Sequence, residues 1–200
     1  MAASSSSGGT AAASAVERAL GAARLLALDV DGTLTDGRVS YFGTEELAVF
    51  HVHDGLGLVW LREAGVQLAW ISGRSSRAVE RRARELGVHE LRLGVQDKAR
   101  ALDELQRQLD VAPEHTVAMG DDLSDLPMAA RAALFVAPAN ARPEVRERAQ
   151  LVTRAAGGAG AVRELAERML AARGSWPPSG VHVPAGTPKA LSEGAPEAAE

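Results

Sequence analysis

Six short apolar runs, separated by longer segments of helical periodicity, place the strongest constraint on the fold of this chain. The segments between them put apolar residues on one helical face, whereas each run has the length of a strand. Strands and helices that alternate in this way form a parallel sheet covered by helices on both faces. The sequence therefore predicts an α/β fold with a doubly wound, Rossmann-like parallel sheet. The runs are RLLALDV (24–30), VQLAWIS (66–72), HELRLG (89–94), TVAMG (116–120), LFVA (134–137) and LVTR (151–154).

Three of the intervening segments are typical of amphipathic helices. The segment 75–87 offers serines for an N-cap and Gly87 as its end, and Val79, Ala83 and Leu86 share one face. Segments 97–110 and 161–173 carry similar apolar stripes.

One stretch does not fit the alternation of strands and helices. Residues 37–50 (GRVSYFGTEELAVF) alternate around a Gly-Thr turn and predict a β-hairpin, followed by a helix that starts near Asp54.

The composition of the two ends sets the predicted domain boundaries. Residues 1–21 lack the basic and apolar regions of a secretory signal, and we expect a disordered leader there, with a short helical turn from about Ala15. Residues 174–200 are rich in Pro, Gly, Ser and Ala, which predicts a flexible tail. The folded domain is then residues 22–173, with the hairpin too small to form a second domain.

Charge and cysteine content exclude several functions. The net charge of -4 and the pI near 5.8 argue against nucleic acid or an anionic membrane as a partner. A chain without cysteine has no disulfide, thiolate nucleophile or thiolate metal site. These features are typical of a cytoplasmic protein with a small-molecule partner.

Polar residues follow four of the predicted segments where the loops of a parallel sheet converge. In open α/β sheets the ligand site lies beyond the carboxyl ends of the strands. An Asp-x-Asp pair by itself is as readily explained by turn capping. Four carboxylates brought together would repel one another unless a cation lay among them, and an all-oxygen set favours Mg²⁺. The residues concerned are Asp29, Asp31, Gly32, Thr33, Ser72, Gly73, Arg74, Lys98, Gly120, Asp121, Asp122 and Asp125.

A magnesium site of this kind suits phosphate chemistry. Ser72 and Gly73 offer a hydroxyl and an unobstructed N–H to phosphate oxygens, and Lys98 adds a positive charge. With that neutralisation one carboxylate can attack phosphorus, and a second can serve as general acid and then as general base. The strand period of two sends Asp29 and Asp31 to the same side, with Val30 in the core.

The same residues resemble the haloacid dehalogenase superfamily of phosphotransferases. The matching motifs are D-x-D-G-T at 29–33, S-G at 72–73, Lys98 and G-D-D-x-x-D at 120–125. The hairpin, F-H-V-H-D-G at 50–55 and AGGAGAVRE at 156–164 are similar to its capless branch, over residues 24–170. The resemblance implies a Mg²⁺-dependent phosphatase without a cap domain, acting on a sugar-acid phosphate. It also implies a homotetramer in which neighbouring hairpins close the site.

The resemblance assigns a role to each motif residue. It makes Asp29 the nucleophile and a metal ligand. Asp31 is implied to be the general acid/base and to bind the metal through its carbonyl, and Asp121 completes the protein ligands. Further implied roles are Asp122 and Asp125 orienting the metal site, Lys98 balancing charge, and Ser72, Gly73 and Lys98 binding phosphate. The residues implied to contact the sugar acid are a loop of His51, Val52, His53, Asp54 and Gly55, together with Arg74 and Arg82.

Several alternatives stay open. Arg74 favours an eight-carbon sugar acid, whereas Val59, at a position that is basic in some relatives, leaves nine-carbon 2-keto-3-deoxy acids possible. The second alternative is a phospho-signalling receiver module. Its phosphorylated aspartate would lie on a middle strand, and no aspartate is found on the middle strands predicted here. A catalytically inactive relative is the third alternative. Gly157, Gly158 and Gly160 either end a loop before the last helix or form a hinge for the tail.

Overall fold

A computed structural model describes the backbone of residues 7–181 of the protein and the side chains of residues 14–181. The strands are β1 (Leu25–Leu28), β2 (Ser40–Phe42), β3 (Glu45–Leu47), β4 (Gln67–Ile71), β5 (Glu90–Arg92), β6 (Thr116–Met119), β7 (Leu134–Ala137) and β8 (Leu151–Val152). The helices are α1 (Ser7–Ala22), α2 (Val52–Glu63), α3 (Arg77–Leu86), α4 (Lys98–Leu109), α5 (Leu126–Ala129), α6 (Pro143–Arg146) and α7 (Ala161–Ala172). Two 3₁₀ turns cover Pro113–His115 and Leu123–Asp125.

Six strands form one parallel sheet in the order β5-β4-β1-β6-β7-β8, which confirms the predicted α/β fold. The central strand β1 alternates between the two faces, as a period of two requires. Leu26 and Leu28 pack with α1, α2, α3 and α7, while Leu25 and Ala27 pack with α4, α5 and α6. All six sheet strands coincide with the six predicted runs. The sheet therefore delivers the residues that follow β1, β4 and β6 to one edge.

The first helix corrects the prediction of a disordered leader over residues 1–21. Leu20 and Ala23 are fully buried, and Arg173 donates to the carbonyls of Gly21 (3.2 Å) and Ala23 (2.7 Å). The prediction gave only a short helical turn from about Ala15 because the Ala-rich sequence resembles a low-complexity leader. In the structure Gly21 lies so close to the Ala172 carbonyl of α7 that a side chain there would overlap it. Residues 1–6 lie outside the described part of the chain.

The C-terminal boundary also differs from the prediction. Trp176 packs edge-on against Trp60 at 5.8 Å, and the Arg163 guanidinium lies 4.1 Å above the Trp60 ring. The chain is thus held against the domain beyond Gly174, where the flexible tail was expected to begin. Residues 182–200, the rest of that predicted tail, lie outside the described residues.

The predicted hairpin is present as β2 and β3, which pair antiparallel around Gly43 and Thr44. Its aromatic side chains face outward, with Tyr41 68% and Phe42 77% exposed. Among helices α1 to α7, none has both the length and the apolar character needed to cross a bilayer.

Candidate active site

The residues predicted from four chain segments meet in one cavity of about 510 Å³ at the carboxyl edge of the sheet. The cavity is therefore built by loops that are far apart in sequence but follow neighbouring strands in the β5-β4-β1-β6 order. Its walls are formed by Asp29, Asp31, Gly37, Gly73, Arg74, Val95, Gln96, Lys98, Asp121, Asp122, Ser124 and Asp125.

A buried lysine joins two of the carboxylates. Lys98 Nζ donates to Asp29 Oδ1 and to Asp125 Oδ1, each at 2.5 Å, and all three side chains are buried. Lys98 is the first residue of α4, and Asp97 fixes this helix start because its side chain accepts from the Arg100 N–H at 3.0 Å. The helix cap therefore sets the position of the ammonium group between the strand ends.

Asp125 organises the loop after β6. Its Oδ2 accepts from the backbone N–H groups of Asp121 (2.9 Å) and Asp122 (3.0 Å), while Oδ1 accepts from Lys98. A side chain at Gly120 would overlap Asp125, so only glycine permits this close approach. Both oxygens of Asp125 are thus occupied by donors.

Asp31 and Ser72 lie side by side across the β1–β4 edge. Ser72 Oγ donates to Asp31 Oδ2 at 3.0 Å and accepts from the Arg74 N–H at 3.0 Å. Asp29 and Asp31 both line the cavity, and Val30 between them is in the core, as the strand period predicts. Ser72 itself lies behind the cavity wall, and Gly73 forms part of that wall.

The electrostatics of the cluster show an excess of negative charge. Burial, and then the charge of Asp125, raise the pKa of Asp29 well above its ordinary value despite the opposing Lys98. Burial and Asp125 likewise raise the pKa of Asp121 to about 6. Burial alone would lower the pKa of Lys98, but the charges of Asp29 and Asp125 outweigh it and raise that pKa. The lysine stays charged, but its single positive charge does not balance the three carboxylates of Asp29, Asp121 and Asp125.

These residues fit a hard divalent cation. Carboxylate oxygens of Asp29, Asp121 and Asp125 lie within 4.8 Å of one another. Asp29 Oδ2 is buried and has no hydrogen-bond partner among the residues that the structure describes. Oxygen ligands of this kind suit Mg²⁺. Both Asp125 oxygens already accept hydrogen bonds, so Asp29 and Asp121 offer such an ion freer oxygens than Asp125 does.

Most of the site residues that came only from the family resemblance do not line the cavity. Of the seven residues implied to contact the sugar acid, Arg74 lines the cavity, and its Nη2 forms a 2.5 Å ion pair with Glu46 of the hairpin. Asp122 lines the cavity too, and its carboxylate accepts from the Leu123 N–H at 2.7 Å. The other six residues implied to contact the sugar acid lie outside the cavity formed by the described residues. They are His51, Val52, His53, Asp54, Gly55 and Arg82.

The predicted His51 to Gly55 loop is instead a helix start. His51 is the N-cap of α2, and the next four residues form its first turn. Asp54 is 2% exposed and accepts from the N–H groups of Gly160 (3.3 Å) and Arg163 (2.7 Å), which caps α7. Its role as a substrate contact stays a prediction, and in the described chain its carboxylate is buried in a helix contact. A Cβ at Gly55 would overlap Arg82, so these two residues pack against each other.

Three contacts of the site were missed by the sequence analysis. Asn140 donates to the Gly32 carbonyl, and Glu46 pairs with Arg74. Gly157 lies so close to Gly32 that a side chain there would overlap the Gly32 carbonyl. The glycine-rich sequence around Gly157 was the only available signal, and it left a loop end and a hinge equally open. The structure makes it a packing surface for the loop after β1.

Comparison with known proteins identifies the class of hydrolase to which the chain is similar. A family model described as haloacid dehalogenase-like hydrolase matches residues 93–165, which include Lys98, Asp121 and Asp125. The α/β fold and the aspartate–lysine cavity define the same class.

Individual relatives identify the family within this class. The 3-deoxy-D-manno-octulosonate 8-phosphate phosphatase of Escherichia coli K12 is 44% identical over 153 residues, covering 76% of this chain and 81% of the relative. The crystal structure of that phosphatase from Yersinia pestis has a TM-score of 0.78 at 40% identity, covering 80% of this chain and 87% of the other. The Moraxella catarrhalis phosphatase in complex with magnesium, phosphate and KDO has a TM-score of 0.78 at 38% identity, covering 80% and 92%. The chain belongs to this phosphatase family of haloacid dehalogenase-like hydrolases.

Proposed function

We propose that the protein is a Mg²⁺-dependent phosphatase that hydrolyses 3-deoxy-D-manno-octulosonate 8-phosphate to the free sugar acid KDO and inorganic phosphate. The observation that carries the proposal is the Asp29–Lys98–Asp125 cluster beside Asp121 in an open cavity, in a chain 44% identical to a phosphatase of that name. The sugar acid that is released would serve the synthesis of lipopolysaccharide precursors. We propose that the protein acts in the cytoplasm.

Asp29 and Asp121 would hold the metal ion with one carboxylate oxygen each, and the carbonyl of Asp31 stays the predicted third protein ligand. When bound, Mg²⁺ neutralises the carboxylates and the phosphate that must approach them. The raised pKa values of Asp29 and Asp121 support this assignment, since both carboxylates gain from a nearby cation.

In the first step Asp29 attacks phosphorus. One carboxylate oxygen of Asp29 forms the new O–P bond, and Lys98, which donates to Asp29 Oδ1 at 2.5 Å, holds the carboxylate in place and balances charge. The ester bond between phosphorus and the C8 oxygen breaks, and Asp31 gives its proton to the departing oxygen. The result is an aspartyl-phosphate on Asp29 and a free sugar alcohol.

In the second step Asp31 acts as the base. It takes a proton from a water molecule, whose oxygen attacks phosphorus and releases inorganic phosphate from Asp29. Ser72 is suited to support both steps because its hydroxyl donates to Asp31 Oδ2 at 3.0 Å. That hydroxyl has one proton, so binding a phosphate oxygen would release Asp31 from this contact.

Recognition of the sugar acid is proposed to begin at Arg74, whose guanidinium lines the cavity and can pair with a carboxylate. His51, Val52, His53, Asp54, Gly55 and Arg82 stay predicted contacts. The start of α2 follows β3 in the chain after four residues, and in the proposed tetramer the hairpin of a neighbouring subunit closes the site. Exposed Tyr41 and Phe42 support a homotetramer assembled through the hairpin.

The experiment is a phosphate-release assay of the full chain with Mg²⁺ on a panel of sugar-acid phosphates. We expect the octulosonate 8-phosphate to be hydrolysed at least about tenfold faster, in kcat/KM, than nine-carbon 9-phosphates such as sialic acid 9-phosphate. Equal or reversed rates would reject the octulosonate 8-phosphate as the preferred substrate. No release from any substrate would favour the catalytically inactive relative.

A further inference from the structure

The loop that follows β7, residues 138–142, contacts three other loops at the carboxyl edge of the sheet. Asn140 Nδ2 donates to the Gly32 carbonyl at 3.3 Å, and the Arg142 N–H donates to the Asp121 carbonyl at 2.9 Å. The Ala139 N–H donates to the Ala155 carbonyl at 3.1 Å. This one loop therefore joins the loops after β1 and β6 to the glycine-rich loop before α7.

The Asn140 side chain bridges two backbones. Its Oδ1 accepts from the Gly157 N–H at 2.7 Å while its Nδ2 reaches Gly32. The Gly158 N–H donates to the Thr33 carbonyl at 3.1 Å. The carbonyls of Gly32 and Thr33 are thus held by neighbouring donors from two different loops.

The glycine-rich loop is itself firmly attached. Asp54 accepts from the N–H groups at its far end, and Glu164 accepts from the Arg154 and Ala155 N–H groups at 3.0 Å and 3.1 Å. Thr153 Oγ1 donates to the Ala155 carbonyl at 2.7 Å. A loop tied at both ends to α2 and α7 is a stiff support for what lies on it.

The residues held in this way are next to the chemistry. Gly32 and Thr33 directly follow Asp31, and Thr33 Oγ1 donates to Asp121 Oδ1 at 3.4 Å. A shift of the Gly32–Thr33 backbone would move Asp31 and weaken the contact to Asp121. We infer that Asn140 is a positioning residue of the phosphatase reaction, which rests on the proposed function, and that it acts by fixing the backbone after Asp31.

Asn140→Ala removes both hydrogen bonds. Because displacement of a reacting group by about 1 Å can cost 10²-fold, we expect kcat for phosphate release to fall about 10- to 100-fold. Ser72, Gly73 and Lys98 do not contact Asn140, so KM should change by less than about threefold. Asn140→Asp keeps the acceptor for Gly157 but lacks the donor to Gly32, and it should lose kcat while its melting temperature stays close to that of the parent.

Gln150→Ala is the matched control. Gln150 also bridges two backbones, since its Oε1 accepts from Phe135 N–H at 2.8 Å and its Nε2 donates to the Arg148 carbonyl at 3.4 Å. Both amide side chains are exposed, but Gln150 contacts none of the cavity residues. We expect Gln150→Ala to keep kcat within about twofold of the parent.

Hydrogen exchange measured by mass spectrometry gives a readout independent of turnover. Amides in the peptide 30–36 should exchange faster in Asn140→Ala and at the parental rate in Gln150→Ala. The inference is overturned if this peptide exchanges at the parental rate in Asn140→Ala, if kcat is unchanged, or if Gln150→Ala has the same effects. An inactive parent would reject the proposed function, and the exchange comparison would then decide the role of Asn140 alone.

Discussion

Magnesium should stabilise this protein strongly, and acid should weaken the effect. Carboxylate oxygens of Asp29, Asp121 and Asp125 lie within 4.8 Å of one another. Each ionised pair at that distance costs about 3.5 kcal/mol at an effective dielectric constant of about 20. Lys98 offsets part of this repulsion through its two contacts at 2.5 Å. A divalent ion that binds only the folded chain would remove most of the remainder.

The expected magnitude follows from mass action. At a Mg²⁺ concentration about 100 times its dissociation constant, the free energy of unfolding rises by about 2.7 kcal/mol. For a chain of this length about 1 kcal/mol corresponds to about 2–4 °C, so the melting temperature should rise by about 5–11 °C. The assay is thermal unfolding in EDTA and in excess Mg²⁺.

The pH dependence has a definite sign. The pKa of Asp121 is raised to about 6, above its value of 3.8 in the unfolded chain. The metal-free protein therefore loses stability as the pH rises through about 6, when the crowded carboxylate ionises. Mg²⁺ binds the ionised form, so the rise in melting temperature should be larger near pH 7.5 than near pH 5.

Asp121→Asn removes one proposed ligand and one of the repelling charges. We expect its metal-free form to melt no lower than the parent, and its response to Mg²⁺ to be mostly lost. Asp103→Asn is the control, because Asp103 pairs with Arg131 on the surface at 2.9 Å. An equal Mg²⁺ response in Asp121→Asn, or no response in the parent near pH 7.5, would refute the assignment of the metal site.

Three further predictions concern other parts of the molecule. Asp29→Asn should abolish phosphate release while far-UV circular dichroism stays unchanged, and substantial residual turnover would reject Asp29 as the nucleophile. Phe42→Glu should dissociate the proposed tetramer in light scattering, whereas Val181→Glu, at another exposed apolar residue, should not; a parental mass for Phe42→Glu would exclude the hairpin as the interface. Asp54→Ala should lower the free energy of unfolding by about 1–2 kcal/mol in denaturant titrations because it removes the cap of α7, and Asp54→Asn, which keeps one of the two acceptor oxygens, should lose less. A stable Asp54→Asn variant with a raised KM would support Asp54 as the predicted substrate contact.

The sequence by itself determined the layers of the fold and the chemistry of the site. Six apolar runs are short enough to be strands, and each coincides with a strand of the sheet. Asp29, Asp31, Lys98, Asp121 and Asp125 follow strand ends or begin helices, and strand ends of a parallel sheet share one edge. Local patterns were sufficient for these conclusions because each depends on a few consecutive residues.

Only the tertiary structure decided the contacts between loops. Strand β6 lies between β1 and β7 in the sheet, but the loop after β7 extends along the carboxyl edge, so Asn140 reaches Gly32 across 108 residues. Asp54 reaches the start of α7 across 106 to 109 residues, which makes it a cap of that helix. The Ala-rich α1 is ordered by α7 and not by its own composition. No short pattern encodes these partners, because each pairing depends on the packing of the whole sheet.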